Sequence, residues 1–314
     1  MHSNESPLPS DDFTEQRAAL RGVVAIPVTP FDATGAVDWS AHGTLLTRLV
    51  DAGVGVLTPN GNTGEFYTLE PAEARRAAEH TVKAVGERAQ VIVGVGLDTA
   101  SAIAAARHAY EAGAQMVMVH QPVHPYISGE GWIDYHRRIA EAVPELGAVL
   151  YVRDVRITGA QIGRLGELCP NVIGVKYSVP DPVRFASVAL DAGPGRFEWL
   201  AGLAELSAPG YFAVGATGFT SGLVNVAPAI SLEFHRLLAA GRYEQAREIW
   251  ALIRPFEALR AADSSADNVS VVKEALAQSG VCRADVRPPS RQLPQAIRDQ
   301  ISTILASWGD RWQL

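Results

Sequence analysis

Three stretches of this chain carry residue types that could act together on a carbonyl group. The first is N-V-I-G-V-K-Y-S at 171–178, an apolar run that delivers Lys176 at its end. An ammonium loses favourable hydration on leaving water. Such a lysine either snorkels out at the end of a strand or serves as an amine. In the second case desolvation lowers its pKa and frees the lone pair for attack on a ketone. Lysine is scarce here, occurring only at Lys83, Lys176 and Lys273.

The second stretch is P-N-G-N-T-G-E at 59–65. Gly61 and Gly64 around Asn62 and Thr63 read as a plain glycine-rich turn, or as a nest of backbone N–H groups for a carboxylate. Thr63 adds a hydroxyl that can donate and relay a proton. The stretch is not a phosphate-binding P-loop, because no Lys-Ser/Thr follows the second glycine. The third is L-Y-V-R-D-V-R at 150–156. Tyr151 can shuttle a proton, and Arg153 or Arg156 can fork a second carboxylate. A solvated, salt-bridged loop is the competing reading, in which Asp154 neutralises at most one arginine. Taken together, the nest holds the carboxylate of a 2-oxo acid and Lys176 attacks its ketone. The resulting iminium makes the neighbouring C–H acidic enough for a protein base.

These residues must be brought together by the elements that carry them. Apolar runs at 22–28, 53–59, 91–95, 116–120, 148–152, 172–177, 197–201 and 214–220 alternate with helical spacing, for example at 38–52, 71–85 and 159–169. Asp38 caps one such helix and Pro71 opens another. The strand runs lack a helical period and are rich in β-branched residues, as expected for strands buried on both faces. Eight consecutive βα units predict a (β/α)8 TIM barrel over 21–240. A doubly wound sheet is the alternative, but it usually has fewer strands. Residues 1–20 read as a polar N-terminal arm running into a short helix, and 241–314 as a C-terminal helical extension. In a barrel the active site lies at the carboxyl ends of the strands. On that reading the eighth run ends in the glycine-rich G-A-T-G-F-T-S-G, with Gly215 as a candidate substrate contact.

Composition excludes several classes. A hydrophobic content of 47% with 19% charged residues describes an ordinary globular chain of 314 residues. The net charge of −7, without a basic block, argues against nucleic acid. Cys169 and Cys282 are too few for a disulfide framework, and the polar start is no signal peptide. No run approaches a membrane span. A cytoplasmic protein is expected. His120 and His124 stand four apart, but Pro122 between them prevents a helical ligand pair. No metal and no organic cofactor is expected.

G-N-T-G-E, a tyrosine at the fifth strand end and V-I-G-V-K at the sixth resemble the dihydrodipicolinate synthase/N-acetylneuraminate lyase family. The similarity runs from A-I-P-V-T-P-F-D to the R-P-P near the end of the chain. It implies a Schiff-base lysine at Lys176, a proton-shuttling tyrosine at Tyr151 and a carboxylate-binding loop at Asn62 and Thr63. It also implies a homo-oligomer, dimer or tetramer, with a small-molecule 2-oxo acid as substrate. The synthases carry Y-N-x-P where this chain has Tyr151-Val152-Arg153-Asp154. Their tyrosine pair after the fourth strand is replaced by H-Q-P-V-H-P-Y-I-S, leaving His124 or Tyr126 in that region. Arg156 falls where the synthases keep a substrate-gripping arginine. G-E-F-Y-T-L, Y-x-R-D and V-S-V-V-K are similar to the 5-dehydro-4-deoxyglucarate dehydratase branch. The expectation is therefore a hydro-lyase of a 2-oxo-3-deoxy sugar acid. The alternatives are 4-hydroxy-tetrahydrodipicolinate synthase, a pyruvate-dependent aldolase, or a 2-oxo acid sensor that kept the lysine without turnover.

Overall fold

Eight short strands alternate with helices and close into a ring. The computed structural model describes residues 13–309. The chain runs α1 (Thr14–Leu20), β1 (Val23–Ala25), α2 (Trp39–Asp51), β2 (Val56–Leu57), α3 (Pro71–Val85), β3 (Gln90–Val95), α4 (Thr99–Glu111) and β4 (Met116–Val119). It continues with α5 (Gly129–Glu141), β5 (Gly147–Val152), α6 (Gly159–Leu168), β6 (Val172–Tyr177), α7 (Pro182–Asp191), β7 (Glu198–Ala201), α8 (Ala204–Phe212), β8 (Gly218–Ser221) and α9 (Pro228–Ala239). The strands pair in sequence order, and β8 returns in parallel to β1. This is the closed (β/α)8 barrel that the alternation implies. Residues 1–12 of the expected polar arm lie outside the described residues.

The pattern of burial explains why the strands read as unbroken apolar runs. Their outward side chains pack beneath the helices, with Val93, Val117, Leu150 and Val175 in that layer. Their inward side chains fill the barrel, where Val24, Val56, Ile92, Met118, Val149 and Leu200 meet. Leu20 of α1 plugs the end at which the strands begin, lying against Gly174 and Gly218. The helices start where local chemistry directs. Asp38, Asp98, Ser128, Thr158 and Asp181 each accept backbone N–H bonds at an N-terminus. Each such cap contributes about 1 kcal/mol. Proline occupies the first turn of α3, α7 and α9, where its missing N–H costs nothing.

One strand starts later than its apolar run. Val214, Gly215 and Ala216 donate back to Tyr211 or Phe212, so they finish α8 rather than begin β8. Gly215 takes φ +111 there, a conformation that L side chains rarely adopt. The strand itself starts only at Gly218.

Beyond the barrel lie α10 (Tyr243–Ser265), α11 (Asn268–Gln278) and α12 (Gln295–Ser307). Helix α10 packs on α8 and α9 and leaves helical geometry at Ala262–Ser264. Helix α11 then returns toward the mouth and touches the loop after β2. No helix among the described residues is long and apolar enough to cross a membrane.

Candidate active site

Lys176 is the penultimate residue of β6, and all six residues of that strand are buried. Its Cα pairs in register with Tyr151 on β5 and Leu200 on β7. Tyr151 and Leu200 belong to the interior cluster, so this register layer faces into the barrel. The Lys176 Nζ lies 4.2 Å from the centroid of the Tyr151 ring. No carboxylate among the described residues pairs with it. Only 4% of the residue is exposed. Burial, and then the positive charge of Arg153, hold its pKa down to about 7. The amine is therefore substantially neutral at physiological pH, as a nucleophile must be.

The Tyr151 hydroxyl accepts a hydrogen bond from Asn62 Nδ2 at 3.2 Å. Burial raises the phenol's pKa, while Arg153, Ser178 and Asn62 oppose that rise. Asn62 belongs to the loop after β2. Gly61 is extended there (φ −81, ψ 174), and Asn62, Thr63 and Gly64 form one 3-10 turn. Gly64 donates to Gly61 O and Glu65 to Asn62 O. The N–H groups of Asn62 and Thr63 make no hydrogen bond among the described residues. Free amides at the first positions of a helical turn are what an anion nest requires.

Several groups hold this loop in place. His120, just beyond β4, is fully buried, with Nε2 2.8 Å from the Asn60 carbonyl oxygen. A carbonyl only accepts, so Nε2 carries the proton. Burial keeps the His120 pKa down to about 4, and the ring is neutral. It stacks on Phe66 at 4.4 Å and meets the Tyr151 ring edge-on at 5.9 Å. From outside the barrel, Lys273 of α11 pairs with Glu65 at 2.5 Å, their side chains 0% and 2% exposed. The Arg287 backbone N–H donates to the other Glu65 oxygen at 3.0 Å, and its guanidinium forks Glu73 at 2.6 and 2.7 Å.

The barrel thus brings Lys176, Tyr151, Gly61, Asn62 and Thr63 to one mouth, and several other expectations need correction. Asn62, rather than Thr63, reaches the Tyr151 hydroxyl, and the Thr63 methyl lies toward Gly222. Arg156 is not free. Its guanidinium is bound to Asp154 at 2.6 to 3.0 Å, with its side chain 60% exposed. Of the two arginines, Arg153 is the one whose charge reaches Lys176 and Tyr151. His124 is exposed on the loop after β4, turned onto the Tyr126 backbone at 2.9 Å, and Tyr126 is itself 86% exposed. Neither stands beside Tyr151. Gly215 precedes β8, so it lies at the end where the strands begin and not at the mouth.

Four contributors were not singled out from the sequence. Tyr67, from G-E-F-Y-T-L, packs edge-on against His120 at 5.6 Å. Burial and then Tyr151 push its pKa up to about 12. His120 was weighed only as a metal ligand. Ser178 stands two residues after Lys176 and therefore on the same face of the strand, which is a signal the alternation carries. Gly202, just past β7, donates to Tyr177 O at 2.8 Å. A Cβ at Gly202 would overlap Ser178 Oγ and come within 3.0 Å of Lys176 Cγ.

The closed parallel barrel thus carries an unpaired, desolvated lysine beside a buried tyrosine at the carboxyl ends of its strands. Residues 19–307 match the model of the Dihydrodipicolinate synthetase family, and the chain belongs to that family of class I lyases. It is 31% identical to a probable 5-dehydro-4-deoxyglucarate dehydratase of Rhizobium rhizogenes, covering 88% of this chain and 92% of the relative. It is 35% identical to a 4-hydroxy-tetrahydrodipicolinate synthase of Phenylobacterium zucineum, covering 92% and 98%. The crystal structure of dihydrodipicolinate synthase from Oceanobacillus iheyensis superposes with a TM-score of 0.90 at 35% identity, covering 94% of this chain and 99% of that one. Among the described residues, no cluster of three His, Cys, Asp or Glu side chains is grouped to hold a metal ion.

Proposed function

We propose that the protein is a hydro-lyase acting on a 2-oxo-3-deoxy sugar acid, of the kind represented by 5-dehydro-4-deoxyglucarate, through an iminium on Lys176. The observation that carries this reading is the Lys176 amine itself, buried without an acid partner and with its pKa lowered to about 7. The amide groups of Asn62 and Thr63 bind the carboxylate next to the ketone. The Lys176 nitrogen adds to the ketone carbon, and a proton passes from nitrogen to oxygen to give a carbinolamine. Tyr151 protonates the departing hydroxyl, water leaves, and the iminium remains. The phenolate then takes a proton from C3. The enamine so formed expels the C4 hydroxyl, which leaves as water with a proton returned by Tyr151. A second water then adds to the conjugated iminium, returns a proton to the phenolate and releases the unsaturated 2-oxo acid from the Lys176 amine.

The same enamine could instead attack an aldehyde. That second reading, a synthase or pyruvate-dependent aldolase, draws support from the relatives that carry the synthase name. The similarity to the probable dehydratase, and the absence of the Y-N-x-P pattern after Tyr151, favour water loss. Borohydride reduction in the presence of pyruvate, followed by peptide mapping, tests the shared step. The added mass is expected on Lys176, and a stable adduct on Lys83 or Lys273 overturns the assignment. Incubation with 2-oxo-3-deoxy sugar acids then separates the outcomes, because a dehydratase converts one without forming pyruvate, whereas an aldolase cleaves it to pyruvate and an aldehyde.

A further inference from the structure

We propose that Arg260, on a helix outside the barrel, is a positioning residue for the carboxylate nest. Its guanidinium fills the space that a side chain at position 222 would take, and so sets the turn after β8 against Thr63. The role rests on the Asn62 and Thr63 amides binding the carboxylate of a 2-oxo acid, as proposed above.

Strand β8 ends at Ser221, and Gly222 follows it at the mouth. A Cβ at Gly222 would overlap Arg260 Nη2, come within 3.0 Å of its Cζ, and stand 3.4 Å from Thr63 Cγ2. The guanidinium of α10 therefore holds the place of the missing side chain, and the Thr63 methyl abuts that same place.

Neither neighbour is free to move aside. Arg260 is only 5% exposed. Its Nη1 is paired with Glu257 at 2.5 Å, and its Nε donates to Asn268 Oδ1 at 3.0 Å. Asn268 is the first residue of α11. Arg260 thus ties α10 to the helix whose Lys273 grips Glu65 at the other end of the nest turn. The turn after β8 is fixed as well. Ser221 Oγ accepts the Val224 N–H at 2.9 Å and donates to the buried Glu205 at 2.5 Å. Asn225 Nδ2 donates to the carbonyl oxygens of Gly222 and Ile26, each at 2.9 Å. Gly222 cannot retreat from the guanidinium without breaking these bonds.

The burial of charge here is explained by position better than by stability. The Arg260 and Glu257 side chains are 6% and 3% exposed. Desolvating such a pair costs about what its attraction returns, and apolar residues of like volume serve a fold as well. A planar fork held through two of its nitrogens gives a spacer of fixed shape, which a methionine or lysine does not.

Pyruvate and acetone, two ketones that differ in the carboxylate, isolate the effect. Each is titrated against the protein with borohydride, and occupancy of Lys176 is read by peptide mapping. In the wild type pyruvate should half-label Lys176 at a concentration at least about tenfold below acetone, as hydrogen bonds to a charged group supply. Gly222→Ala displaces the guanidinium without removing a charge. It should lose most of that preference while its acetone titration stays as in the wild type, which an unfolded protein could not show. Arg260→Met combined with Glu257→Gln should do the same, and adding Gly222→Ala to that pair should change nothing further, because the collision is gone. If Gly222→Ala labels with neither ketone, the Arg260→Met, Glu257→Gln protein decides alone. A pyruvate preference that survives these changes, or effects of the two changes that simply multiply, overturns the role of Arg260. A wild type without preference for pyruvate overturns the nest and the role together, and absence of any adduct on Lys176 overturns the 2-oxo acid reading itself, so the failures are distinguishable.

Discussion

The Lys176 amine sits 4.2 Å from the centre of the Tyr151 ring, on adjacent strands whose Cα atoms pair directly. The tyrosine face offsets part of the cost of a desolvated cation without supplying a counter-charge. An acid at the same distance would have held the amine protonated. The proposed nucleophile and its proposed proton shuttle are therefore set by backbone register, which is more rigid than a loop.

A pH dependence follows from that arrangement. Burial lowers the Lys176 pKa from 10.5 to about 7. The rate of borohydride trapping with a saturating 2-oxo acid should rise with pH up to about 7 and then flatten, since only the neutral amine attacks. A rate that keeps rising to pH 10 would show an ordinary, solvated lysine.

The same desolvation is a stability cost. Lys176→Met should raise stability by about 0.5–2 kcal/mol at neutral pH, the usual scale when a function-bearing strain is removed. Below the folded pKa of about 7 both states of the wild type are protonated, and the penalty is complete. Between there and the unfolded value of 10.5 the native state holds fewer protons than the unfolded state, so wild-type stability climbs with pH. The advantage of Lys176→Met should shrink over the same interval. Urea unfolding at pH 6 and pH 9 measures it, and an advantage that grows at pH 9 contradicts the assignment.

Tyr151→Phe should lower turnover by about 10²–10⁴, the range for a positioned acid–base group. Iminium trapping should slow as well, because loss of the carbinolamine hydroxyl needs a proton. Asn62→Ala removes the donor at 3.2 Å from the phenol oxygen, so a smaller loss is expected together with a weaker hold on the carboxylate. Full turnover by Tyr151→Phe on the best substrate would remove the residue from the mechanism.

How far the sequence reached depended on what kind of information each feature carried. The lysine strand was legible to the residue, 172–177, because a doubly buried strand must be apolar throughout and a lysine interrupts that rule. Pro71 and Asp38 marked their helices because capping chemistry is local. The start of β8 was not legible, since Val214 continues the apolar pattern while its backbone closes the end of α8. The choice between Arg153 and Arg156 was equally hidden, because Asp154 lies within reach of either in sequence and only the folded rim shows which it binds. His124 or Tyr126 was expected, from the family resemblance, in the region of the synthases' tyrosine pair after the fourth strand. The exposed loop after β4 carries both away from Tyr151, and Tyr67 arrives from a different loop.

The Glu65–Lys273 pair gives the last prediction, which joins the C-terminal helices to the chemistry. Glu65 takes the left-handed conformation (φ 58) that ends the nest turn, and its carboxylate is held by Lys273 Nζ at 2.5 Å and by the Arg287 N–H at 3.0 Å. Lys273 also donates to Asp285 O at 2.9 Å and lies 3.9 Å from the Phe31 ring centre, so its ammonium is surrounded on all counts by fixed partners. Lys273→Ala would leave a buried carboxylate uncompensated, a change that typically costs about 3–5 kcal/mol. Replacing both partners, Glu65→Gln with Lys273→Met, removes the stranded charge and should recover much of that loss. Because the pair anchors the turn that presents the Asn62 and Thr63 amides, the double variant should still need a higher 2-oxo acid concentration to half-trap Lys176, with the adduct forming fully at saturation. Urea midpoints and trapping titrations on the single and double variants separate the two effects. If both variants unfold at the same midpoint and trap pyruvate at the wild-type concentration, the pair neither stabilises the fold nor positions the nest.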